Sequence, residues 1–501
     1  MLKKLRITLA VIFFSLITLL FLDFTGALHA WFGWMAKLQF LPALLASNFI
    51  VVAAIIVMTL IFGRVYCSII CPLGVYQDGI SWIGEKIHKN HFRYRKSRKW
   101  LRYSIAIVFA ALLFLGLNWI AILIAPYSIY GRIASNIFAP VYQSINNIFA
   151  YFAERWGSYA FYHVDVYIKS LPIFIISLVY FIGITLSGMF SGRGYCNNIC
   201  PVGTVLGIFA KYSLLKPHID TEKCKSCGLC EKNCRCSAID SESKTIDYSK
   251  CVTCFNCIAK CNRGAISYGR VKSEVLRVES EVKGAESPEN NSTTSRKVFL
   301  ATIAGLATFS AVKAQEKIVD GGLAIIEDKK APKRNTPLKP TGSQSLKNFT
   351  SSCTGCQLCV QSCENNVLRP STKLENLMQP EMSFERGYCR PECTACSEVC
   401  PAGAIRKVSK EEKSSIQIGH AVFIAKNCVS FNGEVECGNC ARRCPSGAIT
   451  MMHSDADDES SPMVPIVNQE RCIGCGACEH VCPARPFSAI YVEGNEVHRM
   501  I

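Results

Sequence analysis

The stretch that decides the fold reads Cys224-Lys-Ser-Cys227-Gly-Leu-Cys230-Glu-Lys-Asn-Cys234, and it recurs as Cys251-Val-Thr-Cys254-Phe-Asn-Cys257-Ile-Ala-Lys-Cys261. In each copy three cysteines are separated by two residues, and a fourth follows after three more. Three closely spaced thiolates wrap one corner of a [4Fe–4S] cube, while the fourth ligates the neighbouring cube. The spacing therefore predicts two clusters, one on Cys224, Cys227, Cys230 and Cys261 and the other on Cys251, Cys254, Cys257 and Cys234.

Structural zinc is the alternative interpretation of these cysteines. Zinc sites usually combine two close cysteines with two distant ones rather than three in a row plus one. A disulfide framework does not fit, because the chain has 501 residues and an odd number of cysteines, 29, with Cys236 as an extra beside the first motif. Small secreted domains are the ones that need such a framework. The pattern therefore favours iron–sulfur clusters over zinc or disulfides.

Four further cysteine motifs lie after residue 350 and predict four more [4Fe–4S] clusters, six in all. In the second and third of them the gap after the first cysteine is longer. Cys389 and Cys428, the outermost expected ligands, therefore lie farther along the chain from the other cysteines of their motifs. The spacing does not give the order in which these four motifs pair. Their cysteines are Cys353, Cys356, Cys359 and Cys363; Cys389, Cys393, Cys396 and Cys400; Cys428, Cys437, Cys440 and Cys444; and Cys472, Cys475, Cys478 and Cys482.

A Gly-Ala-Ile triplet follows three of the fourth cysteines, at residues 264–266, 403–405 and 447–449. The repeat predicts a strand that starts just after each cluster, as in the βαβ halves of small iron–sulfur domains.

The first 210 residues contain four uncharged runs, at 7–22, 41–62, 103–125 and 171–190. About 20 apolar residues span a bilayer, so these runs predict a four-helix membrane domain, with buried soluble helices as the alternative. Lys and Arg accumulate on the cytoplasmic side of membrane helices. That rule places the start of the chain and residues 85–102 inside, because basic residues concentrate at Lys3, Lys4, Arg6, Lys86, Lys89, Arg93, Arg95, Lys96, Arg98, Lys99 and Arg102.

This orientation organises the whole chain and explains its net charge of +17 without a nucleic-acid partner. The membrane domain is expected at 1–216 and a cytoplasmic two-cluster domain at 217–270. A polar linker at 271–296 precedes a basic, then apolar segment at 297–314, which is typical of an export signal or a short anchor helix. A second linker, 315–350, leads to an outer four-cluster domain at 351–501.

A second repeat closes two of the apolar runs. Gly63-Arg64-Val65-Tyr66-Cys67-Ser-Ile-Ile-Cys71-Pro72 matches Gly192-Arg193-Gly-Tyr-Cys196-Asn-Asn-Ile-Cys200-Pro201. Cysteines at positions i and i+4 share one helix face, and two such pairs brought together would offer four thiolates. We therefore hypothesise a further redox site on Cys67, Cys71, Cys196 and Cys200, as a bound cluster or a thiol pair. The alternative is a pair of helix caps with buried free thiols.

These motifs carry a resemblance to two partners of periplasmic nitrate reductase systems. Residues 1–270 resemble the NapH-type membrane ferredoxins, and residues 295–501 resemble the NapG-type periplasmic four-cluster ferredoxins. The segment from Ser295 to Leu300 is similar to a twin-arginine export signal, with Lys297 in place of the second arginine. The resemblance implies a fusion with an α-helical membrane domain and two α+β, bacterial-ferredoxin-like iron–sulfur domains.

The resemblance also implies a function in the bacterial inner membrane. The membrane part would oxidise quinol from the quinone pool, and the outer clusters would pass electrons to a periplasmic reductase, such as nitrate reductase, or to a cytochrome. Two other classes stay open, an oxidase-assembly or metal-reducing ferredoxin and a redox-sensing regulator. No catalytic constellation stands out in the sequence. Asn48 and Asn118 are candidate quinone ligands only because they are polar residues within apolar runs.

Overall fold

The computed structural model describes residues 1–23, 26–88, 92–270, 318–319, 324–325, 327–433 and 435–501. It shows a helical domain up to about residue 213, an inner small domain at 215–270 and an outer small domain at 327–501. The expected linker at 271–296 and the expected signal or anchor segment at 297–314 lie outside the described residues.

The helical domain is a bundle in which α12 packs along α7, while α1 packs against α6 and α7. The described helices of this domain are α1 Leu2–Leu22, α2 Ala27–Phe32, α3 Trp34–Lys37, α4 Phe40–Leu45, α5 Phe49–Phe62, α6 Val65–Ile69, α7 Pro72–His88, α8 Lys99–Phe114, α9 Asn118–Ala121, α10 Pro126–Ile133, a π-helical turn Ala134–Phe138, α11 Ala139–Arg155, α12 Leu171–Ser191, α13 Gly194–Asn198 and α14 Pro201–Ala210.

Within the described residues, two helices are long and apolar enough to cross a membrane, α1 and α12, with 21 residues each. The other two predicted spans are interrupted. The run 41–62 divides into α4 and α5, because Asn48 caps α5 by accepting the Val51 N–H at 3.3 Å. The run 103–125 divides after α8, where Gly116 has a φ of +74°. A hydropathy profile alone does not show these two helix ends.

The two small domains are built from short strands and helices of four to seven residues. In the inner domain these are β1 Leu215–Ile219, α15 Leu229–Lys232, β2 Ile239–Asp240, β3 Thr245–Ile246, α16 Asn256–Lys260 and β4 Ile266–Arg270. Beyond residue 317 they are β5 Ile318–Val319, β6 Ala324–Ile325, α17 Leu346–Ser352, α18 Leu358–Gln361, β7 Leu368–Pro370, β8 Pro380–Met382, α19 Ala395–Val399, α20 Lys410–Ser414, β9 Ile416–Phe423, β10 Ile449–His453, β11 Met463–Val467, α21 Asn439–Arg442, α22 Ala477–Val481 and β12 Ile490–Met500, with 3-10 turns at Leu374–Asn376 and Ala425–Asn427.

In the inner domain the elements follow the order β1-α15-β2 and β3-α16-β4, so each half has the expected βαβ order. All described strands pair as two-stranded antiparallel sheets, β1 with β4, β2 with β3, β5 with β6, β7 with β8, β10 with β11 and β9 with β12. Two of the Gly-Ala-Ile triplets lead into β4 and β10 as predicted, whereas the triplet at 403–405 leads into irregular chain.

The second half of the predicted linker 315–350 belongs to the outer domain. Leu338 and Phe349 are buried in its core, with exposures of 1% and 0%. The Met382 N–H donates to the Leu338 carbonyl at 3.0 Å, which fixes this segment beside β8. Burial of the apolar side chains Leu338 and Phe349 stabilises this segment against the outer domain.

The two small domains pack at opposite ends of α12. Just before its first residue, Lys169 Nζ donates to the Val360 carbonyl of the outer domain at 2.6 Å. Just after its last residue, the Arg193 N–H donates to the Arg235 carbonyl of the inner domain at 2.9 Å. A helix of 21 residues is about 30 Å long. The helical domain therefore separates the two cysteine-rich domains by roughly that length.

Candidate metal centres

The inner domain gathers its motif cysteines into two sets of four, and each set takes its fourth cysteine from the other motif. A cavity beneath β1 and β4 is lined by the first set and opens to the surface. A smaller, apolar cavity beside it is lined by members of the second set, and Cys234 lies in electrostatic range of Cys251 and Cys254. We call these set I (Cys224, Cys227, Cys230, Cys261) and set II (Cys251, Cys254, Cys257, Cys234).

The outer domain forms four such sets, and neighbouring motifs pair in sequence order. Two of the sets line small apolar cavities that are also lined by the fourth cysteine of the adjacent motif. The other two follow from the electrostatic neighbours of their thiols, Cys400 for one and Cys444 for the other. They are set III (Cys353, Cys356, Cys359, Cys400), set IV (Cys389, Cys393, Cys396, Cys363), set V (Cys472, Cys475, Cys478, Cys444) and set VI (Cys428, Cys437, Cys440, Cys482).

The order of these sets along the outer domain is continuous. Sets III and IV are neighbours because they exchange fourth cysteines, and sets V and VI are neighbours for the same reason. A backbone hydrogen bond of 2.9 Å from the Cys389 N–H to the Cys475 carbonyl joins set IV to set V. The structure also brings Cys389 and Cys428, the two outermost expected ligands, to the cavities of sets IV and VI.

Backbone N–H groups point at the sulfur atoms, as iron–sulfur sites require. The Ala238 N–H donates to Cys234 Sγ at 3.4 Å, the Val367 N–H to Cys363 Sγ at 3.4 Å, and the Ala448 N–H to Cys444 Sγ at 3.3 Å. In each case the donor lies four residues after the fourth cysteine of a motif. This turn gives the Gly-Ala-Ile repeat a second role, since Ala448 is its middle residue.

Burial controls the protonation of the thiols. Burial, followed by the charge of neighbouring thiols, raises the pKa of Cys234 to about 12. Burial likewise raises the pKa of Cys251 to about 12 and that of Cys475 to about 12. Such thiols ionise only when a metal ion replaces the proton, so metal binding at these sets releases protons.

Buried lysines accompany the outer sets. Lys413 lines the cavity of set IV, is 6% exposed, and donates to the Arg390 carbonyl at 2.6 Å and to the Cys393 carbonyl. Lys339 is 2% exposed beside set III, and burial lowers its pKa to about 8. A buried ammonium group is costly without an anion. The lysines therefore fit a thiolate-bound iron–sulfur group, which is anionic.

The repeat in the helical domain forms a seventh group of thiols, the central set (Cys67, Cys71, Cys196, Cys200). All four cysteines are buried and lie within electrostatic range of one another. The two cysteines of each repeat do not share one helix, because α6 ends at Ile69 and α13 at Asn198, before Pro72 and Pro201 start α7 and α14. Cys200 caps α14 by accepting the Gly203 N–H at 3.3 Å, as the cap alternative predicted.

Glycine is required where each repeat begins. Gly63 ends α5 with a φ of +80°, and a Cβ there would lie 2.7 Å from Thr253 Oγ1 of the inner domain. Gly192 ends α12 with a φ of +65°, and a Cβ there would lie 2.3 Å from the Arg235 carbonyl oxygen. Only glycine combines this backbone with so close an approach. The two glycines therefore allow both thiol pairs to pack against the inner domain.

Two fully buried arginines cross between the repeats. Arg64 approaches the start of α14 at Gly203, and Arg193 approaches the start of α7 at Gly74. Arg193 forms a two-bond ion pair with Asp78, with both N–O distances 2.8 Å. Arg64 donates to the Ser249 carbonyl at 2.9 Å and contacts Cys67 Sγ at 3.8 Å.

The charge around the central set is positive. Among the described residues Arg64 has no carboxylate partner, while Asp78 also accepts Arg6 at 2.7 Å. A buried guanidinium without a carboxylate is stable only next to another anion. The donor set of four thiols and this excess of buried positive charge fit an anionic metal–thiolate group. The repeated arginines stood in the sequence motif, but their role depends on packing that the motif does not show.

The cysteines of sets I, II, IV and VI line cavities. Such cavities leave room for a cluster between the thiols.

Tyrosines lie between the central set and the outer domain. Tyr66 is buried in electrostatic range of Cys67, Cys71 and Cys200. Tyr127 is in range of Tyr66 and also of Cys356 and Cys400 in set III. The outer domain is held to this face by hydrogen bonds such as that from Ser128 Oγ to the Thr354 carbonyl at 2.6 Å. No sequence motif pointed to Tyr127.

Cys236 connects the central set to the inner domain. It is buried within electrostatic range of Cys234 and Cys254 of set II and of Arg193. Asn197 Nδ2, next to Cys196, donates to the Cys236 carbonyl at 2.9 Å. The extra cysteine of the sequence therefore lies where the inner sets meet the central set.

Of the two asparagines considered as quinone ligands, both have structural partners. Asn48 caps α5, and Asn118 Nδ2 donates to the Ser351 carbonyl of the outer domain.

Known proteins share these features. The family described as "4Fe-4S binding domain" matches residues 44–90 and 173–221, which contain the central set. The family described as "4Fe-4S dicluster domain" matches residues 352–404, 388–448 and 435–485. Ferredoxin-type protein NapG of Escherichia coli is 31% identical over 175 residues, which are 32% of this chain and 75% of that protein. The chain belongs to the NapG-type ferredoxin family.

Two other relatives are similar to parts of this chain. The methylamine utilization ferredoxin-type protein MauM of Methylobacillus flagellatus is 28% identical over 165 residues, 32% of this chain and 70% of MauM. An uncharacterized protein of Methanocaldococcus jannaschii is 33% identical over 118 residues, 21% of this chain and 47% of its own, so the chain spans about half of that relative. No solved structure matches. This NapG-type chain is an iron–sulfur electron-transfer protein.

Proposed function

We propose that the chain is the quinol-oxidising, membrane-spanning component of an electron-transfer chain. In this proposal six [4Fe–4S] clusters occupy sets I to VI, and a further redox centre occupies the central set. The outer domain faces the periplasm and the inner domain the cytoplasm. Electrons from quinol leave the outer domain one at a time for a periplasmic reductase, such as a nitrate reductase, or a cytochrome.

One observation supports this proposal above all. The central set lies between two cysteine-lined domains that pack at opposite ends of one 21-residue helix, α12. Cys236 connects it to set II on one side, and Tyr66 with Tyr127 connects it to set III on the other. Thiols at this position suit a relay of electrons between the two cysteine-lined domains.

The surface of the helical domain supports its placement in a bilayer. Apolar side chains on several helices are exposed, including Ile50 at 83%, Ile107 at 68% and Phe114 at 93%. Soluble monomers rarely expose apolar patches of this kind. The basic residues between α7 and α8 lie at the end that contacts the inner domain, as the orientation with that domain in the cytoplasm requires.

The protein's own groups would set the properties of this chain of centres. The cysteine thiolates hold iron, and bound clusters supply one-electron chemistry. The backbone N–H groups and the buried Lys339, Lys413, Arg64 and Arg193 stabilise added negative charge. Their different numbers at each set allow neighbouring centres to differ in reduction potential.

Anaerobic membrane vesicles that contain the chain test the proposal. We expect menadiol, a water-soluble naphthoquinol, to bleach the visible absorbance of the clusters. In the double variant Cys67→Ala/Cys196→Ala, menadiol should no longer reduce the clusters of sets III to VI, whereas dithionite should still bleach them. Wild-type vesicles that dithionite bleaches and menadiol does not would contradict a quinol dehydrogenase.

A further inference from the structure

A groove lies between α12, α13, the basic segment 94–98 that precedes α8, and residues 236–237 and 250 of the inner domain. Its volume is about 1,200 Å³, above the roughly 300–1,000 Å³ of most small-molecule pockets. Apolar side chains line one end, among them Leu123, Val179 and Ile184. The groove is therefore large enough for a long molecule with an apolar tail.

The other end of the groove is polar and reaches the redox groups. Ser187, Asn197, Asn198 and Cys236 line it, together with the buried Arg193. Asn197 and Cys236 are joined by the 2.9 Å hydrogen bond that links the central set to the inner domain. Amide and hydroxyl groups bind the oxygen atoms of a neutral ring well. A ring held here lies between set II and the central set.

In the middle of the groove α12 presents a glycine, Gly183, which has no side chain. Gly183 lines the groove one turn before Ser187, on the same helix face. A Cβ built on Gly183 meets no heavy atom within 4 Å. An alanine would be the better residue for a helix interior. The glycine therefore keeps a path open between the apolar end and the polar end.

We propose that this groove is the quinol-binding site of the chain, an assignment that rests on the proposed function. The quinol ring lies at Ser187, Asn198 and Cys236, and its isoprenoid tail lies along Val179 and Ile184. The ring gives up two electrons and two protons to become the quinone. The electrons pass singly to the iron–sulfur centres, and the protons leave to water at the mouth of the groove beside Tyr94.

The test compares two glycines in equivalent settings. Gly183→Phe fills the groove. Gly79→Phe is the matched control, because Gly79 is also helical, on α7, also has no heavy atom within 4 Å of a built Cβ, and does not line the groove. Purified wild-type and variant proteins in detergent are heated with and without menadione. The rate of bleaching by menadiol is measured on the same samples, with dithionite as a control for intact clusters.

We expect menadione to raise the melting temperature of the wild type and of Gly79→Phe by about 2 °C or more, since a ligand stabilises the state that binds it. Gly183→Phe should lose this shift and lower the rate of menadiol bleaching by roughly tenfold or more, with bleaching by dithionite unchanged. An unchanged shift and rate in Gly183→Phe would overturn the groove assignment and leave the proposed function intact.

Two other results are also informative. A menadione shift that Gly183→Phe removes, without bleaching of the wild type by menadiol, would support the binding site and contradict quinol oxidation. If menadione gave no shift in the wild type, and only the anionic lipid phosphatidylglycerol raised its melting temperature, the groove would be a lipid site and the proposal would fail.

Discussion

Single buried charges decide how each thiol set behaves. Lys413 donates to two carbonyl groups of the loop that carries Cys393 and lines the cavity of set IV. Arg64 stands beside Cys67 without a carboxylate among the described residues. Neither residue is identifiable from cysteine spacing, because a lysine or arginine in a sequence is usually on the surface. Their role becomes visible only when the folded structure shows that both side chains are buried.

Replacement of Lys413 by glutamine should lower the reduction potential of the centre on set IV. Reduction adds negative charge, which a buried ammonium group stabilises, so its loss favours the oxidised form. We expect a decrease on the order of 50 mV in a redox titration followed by electron paramagnetic resonance. Lys410→Gln, an exposed residue on the same short helix, is the matched control. An unchanged or higher potential in Lys413→Gln would refute this role.

His498 on β12 makes the stability of the outer domain depend on pH. Burial lowers its pKa to about 4 from the ordinary value of 6.5, and its Nδ1 atom is buried without a partner among the described residues. The folded state resists protonation, so stability is complete above about pH 6.5 and is lost as the pH falls toward 4. The loss at pH 5 should be about 1 kcal/mol, because the residue is partly exposed.

Melting curves at pH 7.5 and pH 5 check this pH effect. Between these two values, the wild type should lose about 2–4 °C more in melting temperature than His498→Gln. Equal losses in the two proteins would show that the histidine does not contribute.

At the scale of the elements, the ends of helices α5 and α12 determine how the helical domain packs against the inner domain. Gly63 and Gly192 end α5 and α12, and each one contacts the inner domain so closely that a Cβ has no room. The repeated motif of the sequence showed that these positions correspond. It did not show that both glycines pack the central set against the inner domain, since Gly63 contacts Thr253 and Gly192 contacts Arg235, residues that are far away in the sequence.

Gly63→Ala should therefore weaken the contact between the helical and inner domains. The positive φ and the contact with Thr253 Oγ1 together cost about 1–3 kcal/mol. We expect a lower melting temperature and faster proteolytic release of residues 217–270. Gly183→Ala is the control, because that glycine is helical and has open space at its Cβ. Equal proteolysis of Gly63→Ala and wild type would contradict the account of this joint.

Elements also show where sequence reasoning succeeds. Cysteine spacing encodes local loops, so the grouping of Cys224, Cys227 and Cys230 was predictable from the two intervals between them. Hydropathy encodes burial but not helix ends, so the breaks at Asn48 and Gly116 were missed. The pairing order of the four outer motifs was open in the sequence because it depends on packing between loops, such as the bond from Cys389 to Cys475.

At the scale of the whole molecule, the arrangement is a row of thiol sets. Sets I and II occupy the inner domain, the central set lies in the helical domain, and sets III to VI occupy the outer domain. The order of motifs along the chain predicted the two groups at the ends of this row, sets I and II and sets III to VI. It did not predict that Cys236, Tyr66 and Tyr127 join them through the helical domain, since these residues converge only in the folded chain.

The measurement that tests this row most directly uses the full chain in sealed liposomes, oriented with the outer domain outside. Dithionite added outside should reduce all clusters in the wild type, including those of sets I and II. In Cys67→Ala/Cys196→Ala it should reduce only the clusters of sets III to VI. A membrane-permeant redox mediator that is added afterwards should then reduce the clusters of sets I and II. Reduction of sets I and II at the same rate in this variant would contradict a path through the central set.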